Sequence, residues 1–408
     1  MGHRKLAESA AHLGAYLLCP STPTEGSSAL KGELSHPCSP AAGARTTFIP
    51  VRYIGNKSKL IPFIRQALEQ LEIDGRSACD PFAGTAAVAR FLKNHGYSVT
   101  TSDIMSFSFA LQWAYVVVDR IPTFDDLAPL IDLDDNPLGA TLAHLDRVDP
   151  THEFIYDHFS PEGHAGSKHE RRYFTPDNAA KIDAIRRQIW EWHRRGHINR
   201  DEHYVLLSAL IEAADRVANT TGVYAAYVKT WQPNATKELR LRRPRLVTGT
   251  GLDCRAFQLD AVELMGELGT FDLLYLDPPY NTRQYAGYYH IPEIIAEGWF
   301  DEPPTLRGKT GLPEDEEKRS DWSRRRRCEA AFADLVNAAP CKHILMSYNS
   351  EGIISEDCIE NVLTERGVPD TYRRLECDYK RYRSDRDSDT RRYKGDRVTE
   401  HLYYIRVH

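Results

Sequence analysis

The sequence predicts an α/β protein in which a parallel, doubly wound sheet is interrupted by a largely helical insertion. Three observations carry that prediction. A short apolar run, residues 271–276, stops at Asp277-Pro278-Pro279-Tyr280, and two prolines cannot extend a central strand because they lack the N–H and fix φ. Residues 77–84 read as a strand running into a glycine turn; a helical stretch and a further strand ending in Asp103 follow. Strand, glycine turn, helix and strand make a βαβ unit, whose strands lie parallel. Between these blocks, residues 119–250 carry helix-period apolar stripes in place of strand patterning.

Composition narrows the class. A chain of 408 residues, 41% apolar and 27% charged, has the make-up of a globular protein of one large or two ordinary domains. No apolar run reaches the length of a membrane span. The eight cysteines are scattered, with no C-x-x-C pair and no histidine at ligand spacing, so no structural metal is expected and a cytoplasmic location is the default. The formal net charge of −6 excludes a uniformly basic nucleic-acid binder.

In chain order, residues 1–46 are rich in Ala, Ser, Gly and Pro and are expected to form a disordered tail. A catalytic domain is expected over 47–118 and 251–408, with the insertion at 119–250. Leu60, Ile61, Ile64, Leu68 and Leu71 recur at helical spacing, and Gly75 closes that helix. Residues 77–84 give a strand and turn, 85–95 a helix, and 97–102 a strand. Within the insertion, 119–150 is acidic and punctuated by proline, while 177–195 and 201–219 are amphipathic helices. From Arg171 to Arg245 there are 15 basic against 8 acidic side chains, the opposite sign to the whole chain. The sheet resumes with a helix over 256–268 and the strand at Phe271. A charged loop over 301–327, a helix over 328–337 and a strand over 343–347 follow. Two strands, 375–382 and 401–407, flank a polar loop at 383–392.

Two stretches carry chemistry. A glycine at the turn after a first strand, Gly84 in Asp80-Pro-Phe-Ala-Gly84, lets a nucleotide-like ligand approach the backbone. An acid about 20 residues on, at the end of the second strand, is placed to hold a ribose diol, and Asp103 stands there; alone it would equally serve as a helix cap. Asp277 and the carbonyl of Pro278 form a rigid acceptor pair. An exocyclic amine is a poor nucleophile because its lone pair is delocalised into the ring, and accepting both amino hydrogens draws the nitrogen toward sp³. Tyr280 offers a face for a base taken out of its stack, a contact worth ~1–3 kcal/mol.

Asp277-Pro-Pro-Tyr280, Asp80-Pro-Phe-Ala-Gly84 and Tyr53-Ile-Gly-Asn-Lys57 resemble, in sequence and in order, the motifs of the Dam-like class of DNA adenine-N6 methyltransferases. The resemblance covers roughly residues 48–408. It implies a Rossmann-like methyltransferase sheet and S-adenosylmethionine as cofactor. It implies that Asp80, Phe82 and Gly84 approach the cofactor's methionine part, with Ala86 standing where a second glycine is usual. Asp103 would hold the ribose, Tyr53 and Lys57 would lie near the methionine carboxylate, and Asp253 would lie near the adenine. Asp277, Pro278, Pro279 and Tyr280 would be the catalytic motif. The basic insertion falls where the family places target recognition, so Lys229, Lys237, Arg240, Arg242 and Arg243 are the expected DNA contacts, with Tyr224, Tyr227 and Trp231 interleaved. Arg324 to Arg327 either touch phosphates or pair with the acidic run before them. Expected partners are double-stranded DNA and a cognate restriction endonuclease, for a chain acting as a monomer. The acceptor pair serves any exocyclic amine, so the alternatives are cytosine N4, RNA, or a non-catalytic DNA-binding relative; an Asp in first position leans to adenine.

Overall fold

The computed structural model describes residues 51–163, 169–314, 318–380 and 397–408. The tail at 1–46 and the polar loop at 383–392 lie outside them. The first helix, α1 (Ile61–Gln70), has Pro62 in its first turn, where a missing N–H costs nothing, and buries Phe63, Ile64 and Ala67. It leads to β1 (Ser77–Asp80), α2 (Ala87–Asn94), β2 (Ser98–Ser102) and α3 (Ser106–Gln112). The insertion contributes α4 (Pro137–Leu145), α5 (Phe154–Phe159), α6 (Pro176–Arg194) and α7 (Arg200–Val217). Asn199 and Glu202 close the start of α7 as a reciprocal capping box.

The chain then returns through β3 (Arg255–Phe257), α8 (Ala261–Gly266) and β4 (Phe271–Leu276). After β4 come α9 (Tyr285–Tyr288), α10 (His290–Glu297) and a small hairpin, β5 (Leu306–Arg307) with β6 (Leu312–Pro313). The chain closes with α11 (Cys328–Ala338), β7 (Cys341–Asn349), α12 (Glu356–Arg366), β8 (Arg373–Lys380) and β9 (Arg397–Arg406).

Seven strands form one sheet in the order β3-β2-β1-β4-β7-β9-β8. Every described pairing is parallel except those of β9, which runs against both β7 and β8. The chain winds outward from β1 in one direction and from β4 in the other, so the strand order reverses between these two neighbours. Ligands of open α/β sheets bind outside the carboxyl ends at such a switch point.

Strand alternation splits the sheet's two faces. Leu273, Tyr275, Leu345 and Leu402 pack with α1 and α2, whereas Leu274, Leu276, Ile344 and Met346 pack with α8, α11 and α12. The insertion is not a lobe of its own. Ile182, Ile185, Leu206 and Leu210 of α6 and α7 share one core with Phe107 and Leu111 of α3 and with Ile291 and Ile294 of α10. Its last third also departs from the helical expectation, because residues 218–254 form neither helix nor strand. Side chains hold that stretch: the Asn178 amide donates to the carbonyl of Lys237 and accepts from the N–H of Leu239. The helix expected over 256–268 starts later, at Ala261. Its first residues form β3 on the edge of β2, and the Asp260 side chain caps the helix through the N–H of Val262.

Candidate active site

Two prolines end β4 beside the end of β1, so Asp277 and Asp80 emerge together at the switch point. A cleft of about 690 Å³ opens there, lined among others by Tyr53, Phe82, Asp103, Asp260, Asp277 and Lys318. A smaller chamber of about 290 Å³ lies against it, with Lys57, Asp80, Thr85, Tyr275 and Asp277 among its walls.

The glycine turn shapes one wall. Gly84 has φ +50°, and a Cβ there would stand 2.9 Å from the Tyr53 ring. Its N–H donates to Asp103 Oδ2 at 3.0 Å, while the N–H of Met105 donates to Oδ1 at 2.9 Å. Ser108 and the backbone of Ile104 also stand close enough to steady the carboxylate. Burial raises the Asp103 pKa, against the pull of those N–H groups. Ala86, where a second glycine is usual, takes a left-handed conformation with φ +56° and is fully buried. The turn is therefore kept despite the methyl group.

The opposing wall comes from the segment ahead of α1. Asn56 accepts from the N–H of Ser58 at 2.8 Å and donates to Thr85 Oγ1 at 2.9 Å, which ties this segment to the glycine turn. Tyr53 stacks on Tyr289 with ring centroids 4.7 Å apart. The Lys57 side chain is 3% exposed; its ammonium lies 3.0 Å from Asp277 Oδ1 and 4.4 Å from the centre of the Tyr280 ring, in the chamber that Asp80 and Gly84 also wall. It is a countercharge for Asp277.

Asp277 is buried enough that desolvation pushes its pKa up to about 7, with the Lys57 charge acting to lower it. Its side chain still exposes 15% of its surface. The Tyr280 hydroxyl also donates to Oδ1, so two protein groups converge on one oxygen. Oδ2 has no hydrogen-bond partner among the described residues. Tyr280 itself is buried, with Tyr348 at 5.3 Å and Lys57 over its ring, so it is built into the wall of the site. Asp80 is buried too; desolvation, then the neighbouring Asp277 charge, hold its pKa well above the carboxylate range.

Asp253 is not brought into the cleft. It precedes β3, at the amino end of that strand, and is exposed and paired with Arg255. The cleft lies at the carboxyl ends, and there Asp260, with Leu259 and Ala261, forms the wall after β3. The sequence signal for Asp260 is its position directly after an apolar run and at the start of a helix. Lys318 was likewise unforeseen; it lines the cleft and pairs with Glu293 of α10 at 2.6 Å.

Lys229, Lys237, Arg240, Arg242 and Arg243 are all exposed, on the irregular part of the insertion. Arg240 pairs with Glu238 at 2.7 Å, and Arg243 donates to Asn136 at 2.9 Å. Much of the remaining basic charge is structural. Arg171 is buried and donates to the carbonyls of His158, Gly308 and Lys309; Arg186 is buried and donates to those of Ile295 and Ala296. Tyr224 is also buried, with its hydroxyl on Asp215, so it is not presented as a wedge. Arg324 and Arg327 both pair with Asp321.

A mostly parallel seven-stranded sheet with a nucleoside-sized cleft and an Asp-Pro-Pro-Tyr corner at its switch point defines a Rossmann-like methyltransferase. The chain belongs to the D12 class N6 adenine-specific DNA methyltransferase family, whose model matches residues 53–361. It is 33% identical over 359 residues to the Type II methyltransferase M.FokI of Planomicrobium okeanokoites, and 34% identical over 357 residues to the modification methylase StsI of Streptococcus sanguinis. Each alignment takes in 87% of this chain and 52% of the relative, so the chain spans about half the length of these two proteins. It is also 32% identical over 363 residues to the Type II methyltransferase M.NlaIII of Neisseria lactamica, covering 87% of this chain and 99% of that one. No helix among the described residues is long and apolar enough to cross a membrane.

Proposed function

We propose that this chain methylates N6 of adenine at a specific site in double-stranded DNA, taking the base out of the duplex and using S-adenosylmethionine as methyl donor. The observation that carries the reading is Asp277. A carboxylate with one uncommitted oxygen stands at the switch point, inside the cleft, with a buried ammonium beside it.

The cleft residues fit an adenosine and amino-acid ligand. Asp103 lines the cleft as an acceptor for a ribose diol, Ile104 and Leu259 supply apolar walls, Asp260 offers a second acceptor, and Gly84 leaves the room a Cβ would take. The bound cofactor supplies a methyl group activated by a sulfonium. Asp277 accepts one amino hydrogen of the target base and the Pro278 carbonyl accepts the other, which localises the nitrogen lone pair. The prolines fix these acceptors in advance, so orientation costs little at the moment of reaction. Lys57 favours the ionised form of Asp277, the form that accepts, and Tyr280 holds the carboxylate's other oxygen. A base flipped into the site meets the rim of Tyr280 and its neighbours.

Lys229, Lys237, Arg240, Arg242 and Arg243 would neutralise phosphates or read base edges, and an endonuclease cutting the same site is the partner such a modification protects against. The chain would act as a monomer in the cytoplasm. Purified protein incubated with labelled S-adenosylmethionine and duplex DNA is expected to yield N6-methyladenine in nucleoside mass analysis. Asp277→Ala should abolish it while duplex binding persists. More than a few per cent residual rate in that variant would sink the mechanism, and N4-methylcytosine or labelled RNA would redirect the substrate.

A further inference from the structure

Lys57 is held from two sides. Asp277 lies 3.0 Å from its ammonium, and Glu400 Oε2 lies 3.8 Å from it. Glu400 is on β9, the reversed strand, in register with Asn349 of β7 and Cys377 of β8. It is 7% exposed. An acid at that depth resists ionisation unless a cation is near, and among the described residues Lys57 is the cation it reaches. Neither Glu400 Oε2 nor Lys57 Nζ makes a well-directed hydrogen bond among the described residues, so charge joins the pair.

We propose that Glu400 is a positioning residue for Asp277: it anchors the Lys57 ammonium from behind, and so fixes where that ammonium sits and how far the carboxylate is ionised at neutral pH. This rests on the amine-activating role of Asp277 given above. The groups facing Asp277 from the packed elements make Glu400 the one to test. Lys57 is the cation, and Tyr280 donates to the carboxylate. Tyr53, Tyr275, Tyr285 and Tyr348 stay neutral, since burial raises all four hydroxyls. Asp80, at the end of β1, has its pKa raised by burial and then by the Asp277 charge, and it pairs with the N–H of Phe82 and not with Lys57. Glu400 remains as the acid competing for the same lysine, and its charge works to raise Asp277 while Lys57 works to lower it. Two acids sharing one cation titrate as a pair.

The test titrates the Asp277 carboxyl by carbon-13 NMR in the ligand-free protein, assigned with Asp277→Asn. The pH profile of single-turnover methyl transfer is recorded alongside, for wild type, Glu400→Gln, Glu400→Asp and Lys57→Gln. Glu400→Gln is expected to lower both the titration midpoint and the acid limb by about one pH unit. Lys57→Gln should raise the midpoint, and Glu400→Asp, which keeps the charge, should restore it toward wild type. The plateau rate of Glu400→Gln should fall about tenfold, with KM for duplex nearly unchanged. A midpoint that stays in place in Glu400→Gln, or moves the same way as in Lys57→Gln, overturns the proposal. If Glu400→Gln does not fold, a Lys57→Gln midpoint that fails to rise, or a Glu400→Asp midpoint far from wild type, overturns it. A wild-type protein that methylates no nucleic acid strikes the proposed function instead, and the titration in the free protein still decides the role of Glu400.

Discussion

Gly84→Ala is the sharpest structural test of the cofactor cleft. At φ +50° an L-residue meets its own carbonyl, at a cost of about 1–2 kcal/mol. The new Cβ would also stand 2.9 Å from Tyr53 Cε1 and 3.3 Å from Cζ. That ring cannot retreat, because Tyr289, Tyr285 and Phe107 pack on it at 4.7, 5.4 and 6.1 Å. Overpacking of this kind adds about 1–3 kcal/mol, giving roughly 2–5 kcal/mol in all. Part of it reaches the site directly, since both the displaced ring and Asp103, which accepts from the Gly84 N–H, wall the cleft. The expected result is a lower urea midpoint together with an S-adenosylmethionine Kd raised about tenfold or more by calorimetry. Salt-dependent binding of duplex in the absence of cofactor should persist. Wild-type affinity and midpoint in Gly84→Ala would refute the assignment of this turn to the cofactor.

Two further outcomes are expected. His290 is buried with Nε2 donating to the Thr310 carbonyl, and desolvation pushes its pKa down to about 4. The unfolded chain therefore binds the proton first, so this stabilisation is complete above the unfolded pKa and is lost as pH falls toward 4. Between pH 7 and pH 5 the wild type should lose about 2 kcal/mol more than His290→Gln in denaturant titrations; parallel slopes would contradict it. For the insertion, Arg240→Ala and Arg242→Ala should each weaken duplex binding uniformly and flatten the salt dependence by about 0.9 in slope per lost phosphate contact. Arg186→Ala should instead destabilise the fold, by stranding the carbonyls of α10, with the salt slope unchanged.

The parts of this fold that were legible in the sequence are those set by local rules. β1, β2 and β4 announce themselves because each is a short strand-like run, apolar in β4 and rich in small or β-branched residues in β1 and β2, stopped by a chemically distinct corner, Pro81, Asp103 or Pro278. Asp253 rested on the resemblance alone; β3 has only three residues in a stretch expected to be helix, so no local pattern told which end of a strand Asp253 would stand at. Lys57 was legible as a site residue and not in its contacts. Its nearest carboxylates come from positions 277 and 400, separations at which no periodicity carries information. Glu400 was invisible for the same reason, and it lies just outside the strand expected over 401–407, in the earlier start of β9.

The charge reversal over residues 171–245 shows the limit of composition in a different way. A count of basic residues treats every side chain as facing solvent, but charge acts on a polyanion only where it is exposed and uncommitted. Arg171 and Arg186 spend their donors on backbone carbonyls, and Arg187 pairs with Glu153. Arg171 thereby ties down the hairpin turn and Arg186 the last carbonyls of α10, a structural use that the planar five-donor guanidinium serves well. Basic side chains stay exposed at Arg194, Arg195 and Arg200 and along the run from Lys229 to Arg245, the latter on chain that is neither helix nor strand. That run is fixed at its ends by Asn219, which accepts from the N–H of Gln232, and by Asp119, which accepts from the N–H groups of Thr250 and Gly251. Its charges therefore sit on a loop pinned to the same core that carries α3 and α10, so the positive surface is anchored to the scaffold of the cleft without being part of it.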